Sequence, residues 1–158
     1  MAKKALFTLS LNGDQTDVAA APDATLLETL RDGLGVLSPK RGCNQGVCGA
    51  CTVLIDGVPV RSCLTLTARC EGHEISTMEG MNTDPVMEVL QRHMVASGGV
   101  QCGFCTSGML MSARNLLAET PRPDREAVKS ALSGNLCRCT GYRTIVDAIC
   151  TAAEELAQ

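Results

Sequence analysis

Aromatic rings are the scarcest thing in this sequence. There is no tryptophan among its 158 residues, and the 2% aromatic share is Phe7, Phe104 and Tyr142 alone. A core so poor in rings is aliphatic, or is held together by something besides apolar packing. Charge is nearly balanced at −3 and no basic run exists, so the electrostatic footprint of a nucleic-acid binder is missing. No apolar stretch is long enough to span a bilayer. The opening MAKKALFTLSLNGD starts basic but turns polar at Thr8, Ser10 and Asn12, without the continuous apolar region of a secretory signal or a twin-arginine pair. A cytoplasmic location is the expectation. There is also no Ser/His/Asp pattern, phosphate loop or nicotinamide fingerprint. Substrate chemistry is therefore expected on another chain.

What is present in quantity is cysteine. Cys43, Cys48, Cys51, Cys63, Cys70, Cys102, Cys105, Cys137, Cys139 and Cys150 stand in a chain whose apolar content of 45% is enough to form a core. In a secreted chain ten thiols suggest disulfides; in a cytosolic one they suggest metal or redox chemistry.

The first half reads as short strands. Ala5, Phe7, Leu9 and Leu11 alternate with Leu6, Thr8 and Ser10, and Asn12-Gly13 suits a tight hairpin. Thr25-Leu-Leu-Glu28 is a capping box, predicting a short helix to about Leu34, with Gly33 and Gly35 at its end. A long loop follows from Ser38 to Cys51. Strands over Thr52–Ile55 and Val58–Ser62 flank Asp56-Gly57, and Glu74–Thr77 suits a last short strand. The second half reads as helices. Asp84 caps and Pro85 opens the first, whose face carries Val86, Val89, Leu90 and Met94 before Gly98-Gly99 stops it. Met109, Ala113, Leu116 and Leu117 mark a second helix. Asp124 opens a third with Val128, Ala131 and Leu132, and Gly134 ends it. Tyr142, Ile145, Val146, Ile149 and Leu156 mark a fourth. The apolar period changes from two to 3.6 near Met78–Thr83, which predicts a domain boundary there.

The cysteines fall into two sets. Cys43-x4-Cys48-x2-Cys51, with Cys63 further on, is the plant-type ferredoxin spacing. Iron accepts soft thiolate ligands, and their excess negative charge calls for backbone N–H donors. Gly42, Gly46 and Gly49 allow the loop to turn its amides inward. Zinc or a disulfide pair is the lesser alternative. The second set, Cys102-x2-Cys105 and Cys137-x-Cys139, is less specific, and zinc remains open for it. Both pairs are expected at helix starts, where exposed amides and the helix dipole stabilise thiolates.

KRGCNQGVCGACTV (Lys40 to Val53), QCGFCTSGM (Gln101 to Met109) and GNLCRCTGY (Gly134 to Tyr142) closely resemble, in order and spacing, the iron–sulfur motifs of the xanthine oxidase family. The resemblance covers nearly the whole chain and is to the small subunit of bacterial molybdenum hydroxylases. It implies an α+β architecture: a β-grasp, ferredoxin-like domain over residues 1–79, then an all-α, four-helix domain over 80–158. It implies two [2Fe–2S] clusters, one on Cys43, Cys48, Cys51 and Cys63, the other on Cys102, Cys105, Cys137 and Cys139. Gln101 and Cys139 match positions that contact the pterin of a molybdopterin cofactor, a dinucleotide form, held by a partner subunit. The implied partners are a large molybdenum-cofactor subunit and a medium FAD subunit, or a cytochrome acceptor in its place. The implied function is one-electron transfer within an oxidoreductase heteromer. Where the family commonly has proline after Cys-Thr, this chain has Ser107, which suits a helix cap.

Other residues have plainer readings. Cys150 beside an apolar helix face is a small core residue, and Cys70 is expected as a partly exposed thiol. His93 reads as a satisfied, partly buried histidine, since eight cysteines already fill two clusters. His73 reads as solvated, and Met109 and Met111 as core filler. Arg138, between two ligands, is a solvated charge, a counter-charge to a cluster or a partner contact. The rival functions are a free-standing ferredoxin and a zinc-bound interaction module.

Overall fold

The structure is a computed structural model that describes residues 4–158. Strand β1 (Ala5–Leu11) turns through Asn12 and Gly13, at φ of 54° and 88°, into β2 (Asp14–Ala20). Two successive positive φ angles make the tight turn whose twist suits a hairpin. A second hairpin joins β3 (Thr52–Ile55) to β4 (Val58–Arg61) through Asp56 and Gly57, at φ of 49° and 81°. β5 (Glu74–Ser76) inserts between the hairpins, giving a five-stranded sheet of order β2-β1-β5-β3-β4. β5 runs parallel to β1, with Leu11 opposite Ile75, and antiparallel to β3, with Ile55 opposite Ile75. The mixed sheet and a helix packed on it make the ferredoxin-like part of the α+β fold.

That helix begins at the capping box: Thr25 Oγ1 accepts from Glu28 N at 3.2 Å while the Glu28 carboxylate accepts from Thr25 N at 2.9 Å. α1 (Leu26–Glu28) then widens into a π-turn over Thr29–Gly33 and ends at Leu34. The expected helix thus ends where expected, but its second half is over-wide. The widened turn carries Thr29 into a buried 2.6 Å hydrogen bond with Thr67 Oγ1. Leu26 and Leu30 join Phe7, Leu9, Leu11, Val18, Val53 and Ile75 in the first core. Cys70 is fully buried in this core, contrary to the expectation of partial exposure. Its thiol points inward and donates to Leu66 O at 3.4 Å.

Four helices make the second half: α2 (Pro85–Ala96), α3 (Thr106–Glu119), α4 (Arg125–Ala131) and α5 (Arg143–Leu156). Asp84 Oδ1 caps α2 by accepting from Met87 N at 2.9 Å, and Asp124 caps α4 by accepting from Ala127 N at 2.7 Å. The face of α2 that is buried is Met87, Leu90 and Met94, with Val86 and Val89 at its margin. These pack with Met109, Met111, Val128, Ile145 and Ile149. Methionines fill this core where rings are scarce, because an unbranched thioether adapts to irregular space. Leu156 is exposed rather than part of that face.

The two halves share a wall. Leu54 of β3 belongs to the helical core, while its neighbour Val53 belongs to the sheet core. α3 lies against that strand and is buried continuously from Ser107 to Ala113. No helix among the described residues is long and apolar enough to cross a membrane.

Candidate metal centres

The loop between the π-turn and β3 carries three cysteines of the first set, and the 3-10 turn after β4 carries Cys63. Cys43 Sγ accepts from the amides of Cys48 at 3.3 Å and Gln45 at 3.4 Å. Those N–H groups, Cys48's foremost, hold the Cys43 thiol down at about 6. Cys51 and Cys63 are buried together against Leu27. Burial first, then the adjoining Cys51, pushes the Cys63 thiol up to about 11. The Cys48 sulfur lies over Gly42, where a methyl group would stand only 2.8 Å from it. The backbone at Gly42 forms a cradle that a side chain would fill.

The second set converges from two loops. Cys102 and Cys139 sulfurs are 3.5 Å apart, and the Cys105 and Cys137 thiols are in contact. Cys105 is the N-cap residue of α3, as expected for a thiol at a helix start. Burial, then its contact with Cys137, raises the Cys105 thiol to about 12. The other pair stands just ahead of its helix, as expected. α5 begins at Arg143, behind Tyr142 at φ 68°, so Cys137 and Cys139 lie in a turn ahead of the helix. Local side chains hold that turn. The Cys137 amide donates to Tyr142 Oη at 3.0 Å, and Thr140 Oγ1 donates to Cys137 Sγ at 3.1 Å. Burial works against a Cys137 thiolate, but the Thr140 hydroxyl and amide outweigh it and the thiol is lowered. The Cys102 thiol is lowered too, by the Phe104 amide first and the Cys139 thiol second. Its neighbour Cys139, as the hydrogen-bond donor to Cys102, is raised.

Among the described residues no three His, Cys, Asp or Glu side chains are grouped as ligands of a single metal ion. The chemistry of each set is four soft thiols with N–H or O–H donors aimed at sulfur, and for the first set the cradle at Gly42. These are the features that accommodate an iron–sulfur cluster and spread its negative charge.

The two sets are docked to each other. Leu136 N donates to Cys48 O at 2.9 Å. Asn135 is buried, with Nδ2 donating to Gly49 O at 3.2 Å and Oδ1 accepting from Ser112 Oγ at 3.0 Å. Arg61 bridges the same seam, donating to Gly134 O at 2.6 Å and Thr52 Oγ1 at 2.7 Å. Backbones approach so closely that a methyl at Gly49 would stand 2.4 Å from Gly134 O, and one at Gly108 would stand 2.2 Å from Gly49 O. Arg61 and Ser112 lie outside the quoted motifs and Asn135 lies inside one without a role assigned to it, so reading the sequence missed all three. The one available signal is Asn135 itself, an amide set between Gly134 and Leu136 in a cysteine loop.

The remaining candidates take these places. Gln101, Cys102 and Cys139 are exposed. Ser107 does not cap α3; it is buried in the first turn and donates to Ser38 O at 2.6 Å, tying the helix to the cysteine loop of the first half. Met109 and Met111 are core residues. Cys150 is half-buried at the edge of the helical core, beside a surface cavity lined by Arg122, Arg125 and Glu154. His93, partly buried, pairs through Nε2 with Glu155 at 2.8 Å. His73 is half-exposed but not merely solvated: its Nδ1 meets Asp56 Oδ2 at 2.5 Å. Arg138 is exposed.

Residues 77–150 match the family described as "[2Fe-2S] binding domain", and residues 14–96 the family described as "2Fe-2S iron-sulfur cluster binding domain". The nicotine 6-hydroxylase small subunit of Paenarthrobacter nicotinovorans is 47% identical over 151 residues, spanning 94% of this chain and 89% of that protein. The xanthine dehydrogenase iron-sulfur-binding subunit of Escherichia coli O157:H7 is 46% identical over 143 residues, 89% of each chain. A chain in the crystal structure of quinoline 2-oxidoreductase from Pseudomonas putida 86 superimposes with a TM-score of 0.92 at 45% identity, covering 99% of this chain and 98% of that one.

Proposed function

This chain belongs to the iron–sulfur subunits of the xanthine oxidase family of molybdenum hydroxylases, and from that premise we propose that it holds two [2Fe–2S] clusters and carries electrons singly from a molybdenum–pterin site to FAD or another acceptor on companion chains. Its relatives are subunits of multi-subunit oxidoreductases, and electron transfer is its role among them. Each cluster, when bound, supplies the uptake and release of one electron.

The residues supply everything around that chemistry. Cys43, Cys48, Cys51 and Cys63 ligate one cluster, and Cys102, Cys105, Cys137 and Cys139 the other. The amides of Gln45 and Cys48 and the hydroxyl of Thr140 donate to ligand sulfurs, which favours the more negative state of the group they surround. The docked seam of Cys48, Asn135, Leu136 and Arg61 keeps the two ligand sets in one rigid relation. Gln101 and Cys139, exposed at the second set, face the pterin of the large molybdenum-cofactor subunit. A medium FAD subunit is the preferred electron acceptor, with a cytochrome in its place as the alternative. We place the complex in the cytoplasm, where free thiols stay reduced.

The observation that supports this reading is the pairing of thiols within each set, Cys51 with Cys63, Cys102 with Cys139 and Cys105 with Cys137, with N–H or O–H donors at a sulfur of each set. The test is to purify the chain with its companions and assay metals. Iron and acid-labile sulfide on this chain, with molybdenum on a co-purifying larger chain, are expected. A chain that purifies alone and turns over substrate, or carries zinc in either set, overturns it.

A further inference from the structure

Phe104 touches both cysteine sets. It sits between Cys102 and Cys105 in a turn that Gly103 makes at φ 81° and that Thr106 N closes onto Gly103 O at 3.2 Å. Its amide faces the Cys102 sulfur. Its ring leaves that set and lies on the other loop. A methyl group placed at Gly42 would stand 3.3 Å from Phe104 Cε1 and 2.8 Å from Cys48 Sγ. Ring edge and Cys48 sulfur therefore border the same space over the Gly42 backbone, from residues about sixty apart in sequence. Core packing does not explain the ring. It is 45% exposed and belongs to no hydrophobic cluster. The other two aromatic residues have clear duties, Phe7 in the sheet core and Tyr142 as acceptor for the Cys137 amide.

Water beside a ligand sulfur stabilises the reduced cluster, which carries one more negative charge, and so raises the reduction potential. A ring edge in the same place excludes that water and offers only a weak C–H dipole. We propose that Phe104 is a positioning residue that shields the Cys48 sulfur from water and holds down the potential of the first-set cluster, while its amide serves the second set. This role rests on the ligand reading under Proposed function. It makes a side chain of one cluster loop the solvent shield of the other.

The test uses the assembled oxidoreductase and electron-paramagnetic-resonance redox titration, with the first-set signal identified as the one that Cys48→Ser abolishes. Phe104→Ala keeps the amide and removes the ring. The first-set midpoint is expected to move upward, the second-set midpoint to stay, and iron content to hold. Deuteron modulation of the first-set signal in heavy water is expected to deepen, a reading that a purely structural role would not change. Phe104→Tyr, which keeps the ring edge, is expected to match the parent in both midpoints. If Phe104→Ala does not assemble, Phe104→Leu carries the same readings, since its side chain is too short to reach Gly42. Midpoints that stay put, or that move together without a change in deuteron modulation, overturn the role of Phe104 and leave the ligand assignment intact. A single iron–sulfur signal in the parent protein overturns the two-cluster reading itself.

Discussion

The backbone N–H of Leu136 donates to the carbonyl of Cys48 at 2.9 Å. Leu136 precedes one candidate ligand, Cys137, and Cys48 is another, so the two cysteine sets meet through a single backbone hydrogen bond. Around it Asn135 and Arg61 bond across the joint, and Gly49, Gly108 and Gly134 leave no space there for side chains of their own.

Asn135→Ala tests that joint. The Gly49 carbonyl keeps Thr52 Oγ1 at 2.6 Å as a donor, so the loss falls mainly on buried Ser112, whose hydroxyl is left without its acceptor. An unpaired buried polar group costs about 1–3 kcal/mol. Thermal unfolding should shift down by roughly 2–4 °C per kcal/mol for a chain of this size. The double variant with Ser112→Ala should lose less than the sum of the two single losses, because both remove one interaction.

Gly108→Ala should destabilise, against helix propensity. Within a helix, alanine usually improves on glycine by about 0.5–1 kcal/mol. Here the added methyl would stand 2.2 Å from Gly49 O, a backbone atom that cannot step aside. A net loss of about 1–3 kcal/mol is expected from overpacking, with reduced iron content on purification. A stabilised variant would mean that α3 and the cysteine loop are not in contact.

Four irons and four acid-labile sulfides per chain are expected. Cys48→Ser and Cys105→Ser should each cost about half of the iron, read by metal analysis, because each breaks one ligand set. Cys70→Ala and Cys150→Ala should leave the iron content unchanged, and Cys70→Ala should lower thermal stability because its thiol is fully buried. Chelating the metal should lower the unfolding temperature of the whole chain, since binding free energy is folding free energy in such domains.

Glu155 links the last helix to α2. Its carboxylate accepts from Arg92 Nη2 at 2.5 Å and meets His93 Nε2 at 2.8 Å. Arg92 first and His93 second hold it down at about 2. A carboxyl lowered by folding contributes stability that is full above its unfolded value near 4.5 and is lost as pH falls toward 2. Glu155→Gln should therefore lower the unfolding temperature at pH 7 by about 1–3 °C, a small effect because the pair is exposed. The difference from the parent should shrink as pH falls below 4.5.

Much of this molecule is written in short stretches of sequence. Asn12-Gly13 and Asp56-Gly57 specify their hairpins, Thr25 and Glu28 cap each other, and Asp84-Pro85 opens α2, because each signal acts over two to four residues. The cysteine spacings are equally local, which is why the ligand candidates could be named before any fold was known. What tertiary structure alone decided lies at long range. Asn135 meets Gly49 across 86 residues and Arg61 meets Gly134 across 73. Ser107, expected to cap its own helix, bonds instead to Ser38, 69 residues away. Cys70 is buried because the turn over Thr67–Arg69 sends Thr67 and Cys70 inward and leaves Ala68 and Arg69 exposed, and nothing in its neighbours' identities says so. The ring of Phe104 finds Gly42 only once β3 and α3 are packed face to face. A side chain's type and its near neighbours constrain its backbone, but a partner sixty or more residues distant is chosen by the way the two halves close on each other.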